Sequence, residues 1–322
     1  MPISSRVEDG MVRPMNEFLH GCVGGEFTRF LPEQIEHYSS LSPLDAIRCR
    51  CPAGMYWEFI TDSPEITFTY NNEGFYCGGS RFDIHENGVL TANIPLAPAG
   101  SREVSVVYQK KEAGESLVRI TFPNGAAIIP VRVEFGHARP TAKRDKTVLF
   151  YGDSITQSAY IPTPSLSWTG YVADALEAEE INRGIGSFVF DEKSLPESDF
   201  IQPEWIFVEY GPNDISRFPD LDDAMARAEG YLARLQKIYP DAAVYVITPD
   251  FLSPQGISAE AAARLPDYCR RLTEVGLAAG MKVIPGRKLV PDLDVMFWRD
   301  HLHLNEAGSA VFAHNLLRLM KD

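Results

Sequence analysis

Along the first part of the chain, apolar and polar positions alternate in short runs; later, continuous apolar runs are separated by stretches with helical spacing. From about residue 24 to 137, the segments Trp57–Thr61, Ile66–Tyr70, Val104–Tyr108, Leu117–Phe122 and Ile128–Phe135 read as strands. Asn71-Asn72-Glu73-Gly74 and Pro123-Asn124-Gly125 supply turns between them. Short, regularly spaced strands without helical patterns between them predict an all-β sandwich domain, jelly-roll-like, over residues 1–140. The aromatic residues Trp57, Tyr70, Phe75 and Tyr76 read as its core, with a sugar-binding platform as the alternative.

Ala138–Asp145 is polar and carries a proline, which predicts a linker at about 138–146. Beyond it, apolar runs at 147–151, 205–210, 243–248 and 282–285 alternate with helical patterns such as Met225, Ala228, Leu232, Leu235 and Ile238. Strand and helix in alternation predict an α/β domain over 146–322. Its sheet is parallel and covered on both faces, and ligands bind at the carboxyl ends of its strands. A length of 322 residues agrees with two domains.

Thirty basic against forty-four acidic residues give a net charge of −14, which argues against nucleic acid or an anionic membrane as a main partner. No run of about 18 apolar residues offers a membrane span. Residues 1–10 show no apolar core behind a basic start, so no signal peptide is expected. Five cysteines, Cys22, Cys49, Cys51, Cys77 and Cys269, are odd in number and form no Cys-x-x-Cys pair. Free thiols in a reducing cytoplasm are the simplest account.

The chemistry begins where the run Val148-Leu149-Phe150-Tyr151 stops at Gly152-Asp153-Ser154. A buried strand ending in this way delivers one hydroxyl to the edge of a sheet. Three further blocks follow in order: Asn182-Arg183-Gly184-Ile185-Gly186-Ser187, Gly211-Pro212-Asn213-Asp214, and Asp300-His301-Leu302-His303-Leu304-Asn305. Together they resemble the SGNH hydrolases, the GDSL esterase and lipase family, over roughly residues 146–322. The resemblance implies a flavodoxin-like, three-layer, doubly wound sheet and a Ser-His-Asp site without a cofactor. Some members carry a β-sandwich ahead of the catalytic domain, and this chain is similar to that arrangement.

A serine hydroxyl is a weak nucleophile at neutral pH and needs a base, which a third group orients. Ser154, His303 and Asp300 fit these roles. An Asp-x-x-His step can fold back so that the carboxylate meets one imidazole nitrogen while the other faces the serine. By resemblance, the oxyanion donors are the backbone N–H of Ser154, a backbone N–H in the second block and the side-chain amide of Asn213. The family's glycine in that block falls on Ser187, with Gly186 just before it, and both are carried as candidates. Asp153 shapes the turn after the strand, and Phe297, Trp298 and His301 are expected with it at the pocket rim.

Other readings of these residues are weaker. Position 189 is Val, so Gly184 and Gly186 lack the third glycine of a dinucleotide fingerprint. Asp300, His301 and His303 with Asp292 and Asp294 match no familiar metal spacing, and no metal is expected. His314 belongs to a helix capped by Asn305 and is assigned no catalysis. The expected activity is hydrolysis of a short-acyl ester, acetyl above all, of a carbohydrate or other small alcohol. Acyl transfer from the same site is the first alternative. A binding protein that no longer turns over is the second, because a Cβ at Ser187 could crowd the oxyanion. A homo-oligomer is left open.

Overall fold

The computed structural model describes residues 6–7, 15–77, 79–252, 255–291 and 295–321. The leader reading at 1–10 falls largely outside these residues, and Asp292 and Asp294 fall wholly outside them.

The first half holds strands β1 (Arg6–Val7), β2 (Leu19–His20), β3 (Tyr56–Thr61), β4 (Glu65–Phe75), β5 (Arg81–Glu86), β6 (Val89–Pro95), β7 (Val104–Gln109), β8 (Ser116–Thr121), β9 (Ala126–Phe135) and β10 (Ala138–Pro140). They form two sheets, ordered β1-β9-β4-β7 and β10-β3-β8-β5-β6, with β2 against β3. Every pairing is antiparallel except β1 on β9. Trp57, Phe59, Phe68, Tyr70, Phe82 and Phe122 from both sheets fill one shared core. Their rings meet largely edge to face, as between Trp57 and Phe122 at 4.9 Å. Trp57 and Tyr70 are thus core, and Phe75 packs against the same cluster.

Three features of this half differ from the sequence reading. Asn71–Gly74 lies inside β4 as a break in register, not a turn, and Asn72 Oδ1 accepts the Gly74 N–H at 3.1 Å. Residues 138–140, read as linker, pair with β3. Two helices interrupt the β pattern, α1 (Pro32–Leu41) and α2 (Pro43–Arg48). Both start with proline in the first turn, and Ser42 caps α2 by accepting from the Asp45 N–H. Their segment leaves the sandwich: Phe30, Leu31, Tyr38 and Cys49 join the core of the second half.

That half holds β11 (Lys146–Gly152), α3 (Ser154–Gln157), α4 (Trp168–Ala175), β12 (Ala178–Gly184), β13 (Trp205–Glu209), α5 (Pro212–Arg217), α6 (Leu221–Ile238), β14 (Ala243–Ile247), α7 (Ala259–Ala278), β15 (Lys282–Ile284) and α8 (Glu306–Leu319). The sheet is parallel, ordered β12-β11-β13-β14-β15. This is the doubly wound order in which chain direction reverses beside the first strand. Leu149, Ile206, Val208 and Val246 face α6 and α7, while Val148, Phe150, Phe207 and Ile247 face α4 and α8.

Strand β12 escaped the apolar-run reading because Glu179, Glu180, Asn182 and Arg183 are polar yet buried. Each has a partner. His20 Nδ1 lies 2.9 Å from Glu179, and Arg183 pairs with Asp199 at 2.7 Å, both side chains fully enclosed. Arg29 donates to the carbonyls of Asn182 and Gly184 at 2.7 and 2.6 Å, and to those of Cys51 and Arg48 at 2.7 and 2.9 Å. The edge of the parallel sheet is therefore closed by residues from the first half of the chain.

Candidate active site

The apolar strand β11 ends at Gly152, where a Cβ would come within 2.1 Å of Thr156 Oγ1 and 2.3 Å of the Glu209 carbonyl. Only glycine fits so close an approach. Asp153 then caps α3, its carboxylate accepting the Ile155 N–H at 2.9 Å. Ser154 is thereby fixed as the first residue of the helix.

His303 reaches Ser154 from the loop before α8, with Nε2 2.8 Å from the serine Oγ. On its other side, Nδ1 lies 2.8 Å from Asp300 Oδ2 and 3.1 Å from Oδ1. The same carboxylate accepts the backbone N–H of His303 at 2.8 Å, so the Asp-x-x-His step is folded back on itself. With Nδ1–H donating to Asp300, Nε2 is left as the acceptor for the serine proton. Burial pulls the His303 pKa below the usual imidazole value, although Asp300 opposes it. Burial would raise the Asp300 pKa, but the backbone and ring N–H groups of His303 outweigh it and hold it below the usual carboxylate value.

Behind the serine, Asp153, Glu209 and Asp214 are buried. Burial pushes all three upward, and the charge of Asp153 raises Glu209 further. Thr156 Oγ1 donates to Glu209 at 2.8 Å and Asn213 Nδ2 donates to Asp153 Oδ2 at 2.8 Å. This bond ties the Asn213 amide to the residue before Ser154 and leaves it one further N–H.

In the second block, the two candidate donors are separated by their bonding. The Gly186 N–H donates to Gln157 Oε1 at 2.8 Å. Its Cα hydrogen faces Tyr76, whose ring a Cβ would strike at 2.2 Å. Ser187 has a left-handed backbone, φ 57°. Its N–H is the remaining candidate of the two.

A small cavity beside the serine is lined by Ser154, Ile155, Ser158, Tyr160, Ile161, His303 and Leu304. Sequence reasoning missed Tyr160, whose ring stacks on His303; Tyr76, read as sandwich core, instead lies half-buried and meets Tyr160 edge-on at 6.0 Å. Neither falls in a motif block. Phe297, Trp298 and His301 are not among the lining residues. Trp298 is buried and lies parallel to Phe251, and Phe297 packs against the same cluster, because this segment anchors the loop to α8. His301 is half-exposed with φ 65°.

Loops of the first half hold the segment that follows Ser154. Gln157 Nε2 donates to the Asn124 carbonyl at 3.0 Å, and Cys77 Sγ donates to that of Ala159. Among the described residues, no group of three or more His, Cys, Asp or Glu is placed to hold a metal ion, and no helix is long and apolar enough to cross a membrane.

Residues 150–311 match the family model of the GDSL-like lipase/acylhydrolase family. No curated protein matches the chain. Among solved structures, it resembles a salicylyl-acyltransferase from a tetracycline biosynthetic pathway, at TM-score 0.75 and 16% identity, covering 91% of this chain and 89% of the other. A family two carbohydrate esterase from Clostridium thermocellum, in complex with cellohexaose, aligns at TM-score 0.64 and 14% identity over 84% and 92%. An acetyl xylan esterase from the rumen bacterium Butyrivibrio proteoclasticus aligns at 0.59 and 13% over 83% and 88%. At these identities the likeness is one of fold.

Proposed function

Because this chain belongs to the GDSL-like lipase/acylhydrolase family, we propose that it is a serine ester hydrolase. It removes a short acyl group, most simply acetyl, from a carbohydrate or other small alcohol. The observation that carries this reading is the hydrogen-bonded line from Ser154 Oγ through His303 to Asp300.

In the proposed cycle, His303 Nε2 takes the serine proton as Oγ attacks the ester carbonyl, and Asp300 stabilises the imidazolium. The N–H groups of Ser154 and Ser187 and the Asn213 amide receive the developing oxyanion. His303 then returns its proton to the leaving alcohol. Water, activated by the same imidazole, releases the acid and frees Ser154. The carbohydrate esterases of like fold, an acetyl xylan esterase among them, support a short acyl group on a sugar alcohol.

The decisive experiment joins fluorophosphonate labelling, read by intact mass, to a p-nitrophenyl acetate assay on wild type and Ser154→Ala. One adduct and turnover, both lost in the variant, are expected, with acetate cleaved faster than octanoate. A folded wild type without adduct would move the binding-protein reading to the front. A second reading, acyl transfer, is favoured by the fold shared with the salicylyl-acyltransferase over nearly the whole chain. It predicts product ester when acceptor alcohols are supplied.

A further inference from the structure

Ser187 combines two properties that conflict. It is the second-block candidate for an oxyanion donor, and it carries a side chain in the left-handed region at φ 57°. That region costs an L-residue about 1–2 kcal/mol, whereas glycine enters it freely. A serine held there needs a restraint, and its side chain provides a point to grip.

We propose that Arg48, at the end of α2, is a positioning residue for the oxyanion hole, holding Ser187 through its hydroxyl. The inference rests on the esterase reading above. Arg48 Nη2 donates to Ser187 Oγ at 3.1 Å, and Arg217 Nη2 donates to the Ser187 carbonyl at 2.6 Å. The residue is thus held on its side chain and on its backbone.

Arg48 is itself firmly placed. It is 9% exposed, its Nη1 donates to Asp45 Oδ1 at 2.7 Å, and its guanidinium lies 4.6 Å from the centre of the Tyr76 ring. That ring in turn closes over Gly186. Arg29 ties the Arg48 carbonyl to the carbonyls of Asn182 and Gly184, which lead into the same loop. Arg48 is therefore a well-anchored support for the half-buried Ser187. A charged donor makes such a bond stronger than one between neutral groups, and partial burial limits its exchange with water.

The consequence is that the first half of the chain helps set the geometry of the oxyanion hole. Arg48 acts through Ser187 and not on the substrate, so its loss should appear in the chemical step. Removal of a whole oxyanion donor typically lowers turnover about 10²–10³-fold. Loosening one should cost less, about 10- to 100-fold in kcat, with KM for p-nitrophenyl acetate changed less than about twofold.

The test uses the full chain with Arg48→Met, Arg48→Lys, Ser187→Ala and the double variant Arg48→Met/Ser187→Ala. Arg48→Met and Ser187→Ala should each lower kcat at near-constant KM. Arg48→Lys should recover part of the loss, and the double variant should be no worse than the worse single. An unchanged kcat, a loss confined to KM, or losses that multiply in the double variant would each overturn the proposal. If Arg48→Met fails to fold, Ser187→Ala decides, since wild-type kcat in that variant sinks the idea. Wild-type protein with no fluorophosphonate adduct would instead sink the underlying esterase reading, which keeps the two failures apart.

Discussion

The phenol ring of Tyr160 lies on the imidazole of His303, centroids 3.9 Å apart and planes inclined by 24°. The contact covers the catalytic-base candidate on one face, and Tyr160 also lines the cavity beside Ser154. Stacking of this kind holds the ring plane in which Nε2 faces the serine.

Tyr160→Phe should keep the stack and most of the activity. Tyr160→Ala should lower kcat by about fivefold, the scale of one aromatic contact of roughly 1 kcal/mol. It should also let water reach His303, raising the midpoint of the pH–rate profile. Steady-state rates between pH 4 and 9 on the two variants check both effects.

The wild-type profile should rise with pH as His303 loses its proton. Burial disfavours the imidazolium, so the midpoint should lie below the ordinary value of about 6.5. Asp300→Asn removes the group that opposes that shift; it should move the midpoint lower still and cut kcat by about 10⁴-fold. A profile flat from pH 4 to 9 would rule out a histidine base.

A third expectation concerns stability. Burial alone would raise the Glu179 pKa, but the hydrogen bond and charge of His20, with the N–H groups of Arg144 and Gly21, bring it down to about 2. A depressed carboxylate contributes stability above its unfolded pKa, near 4.5, and that contribution is lost as pH falls toward 2. Glu179→Gln should therefore be less stable at pH 7 by on the order of 2 kcal/mol, with the gap to wild type narrowing steadily below about pH 4.5. Denaturant melts of both proteins at pH 7 and pH 3 measure it.

Strands with ordinary patterning were legible in the sequence, as were the turn at Ser154 and the Asp300–His303 step, because local chemistry dictates them. Strand β12 was not: Glu179, Glu180 and Arg183 interrupt any apolar run, and their burial depends on partners such as His20, 159 positions away. Helices α1 and α2 were missed although Pro32, Ser42 and Pro43 signal helix starts, the alternating texture around them having set the reading. Asn213 was legible as an amide near the serine, but its bond to Asp153 was not. Tyr76, Arg48 and Tyr160 reach the site through tertiary folding alone. Trp298 shows the converse, since proximity in sequence to Asp300 placed it at the rim while packing draws it into the core.

The guanidinium of Arg29 meets four carbonyl oxygens, two on each side of the junction between the halves of the chain. Separating the halves near residue 146 would take the Arg29 donors from the Asn182 and Gly184 carbonyls, uncover the apolar patch beneath Phe30 and Tyr38, and remove the support of Gln157. Apolar surface uncovered in this way costs about 25 cal/mol per Å². The parallel-sheet half thus draws part of its core and the cover of its edge strand from the first half of the chain. Exchanging the first half for an unrelated module would therefore uncover part of the core of the parallel-sheet half.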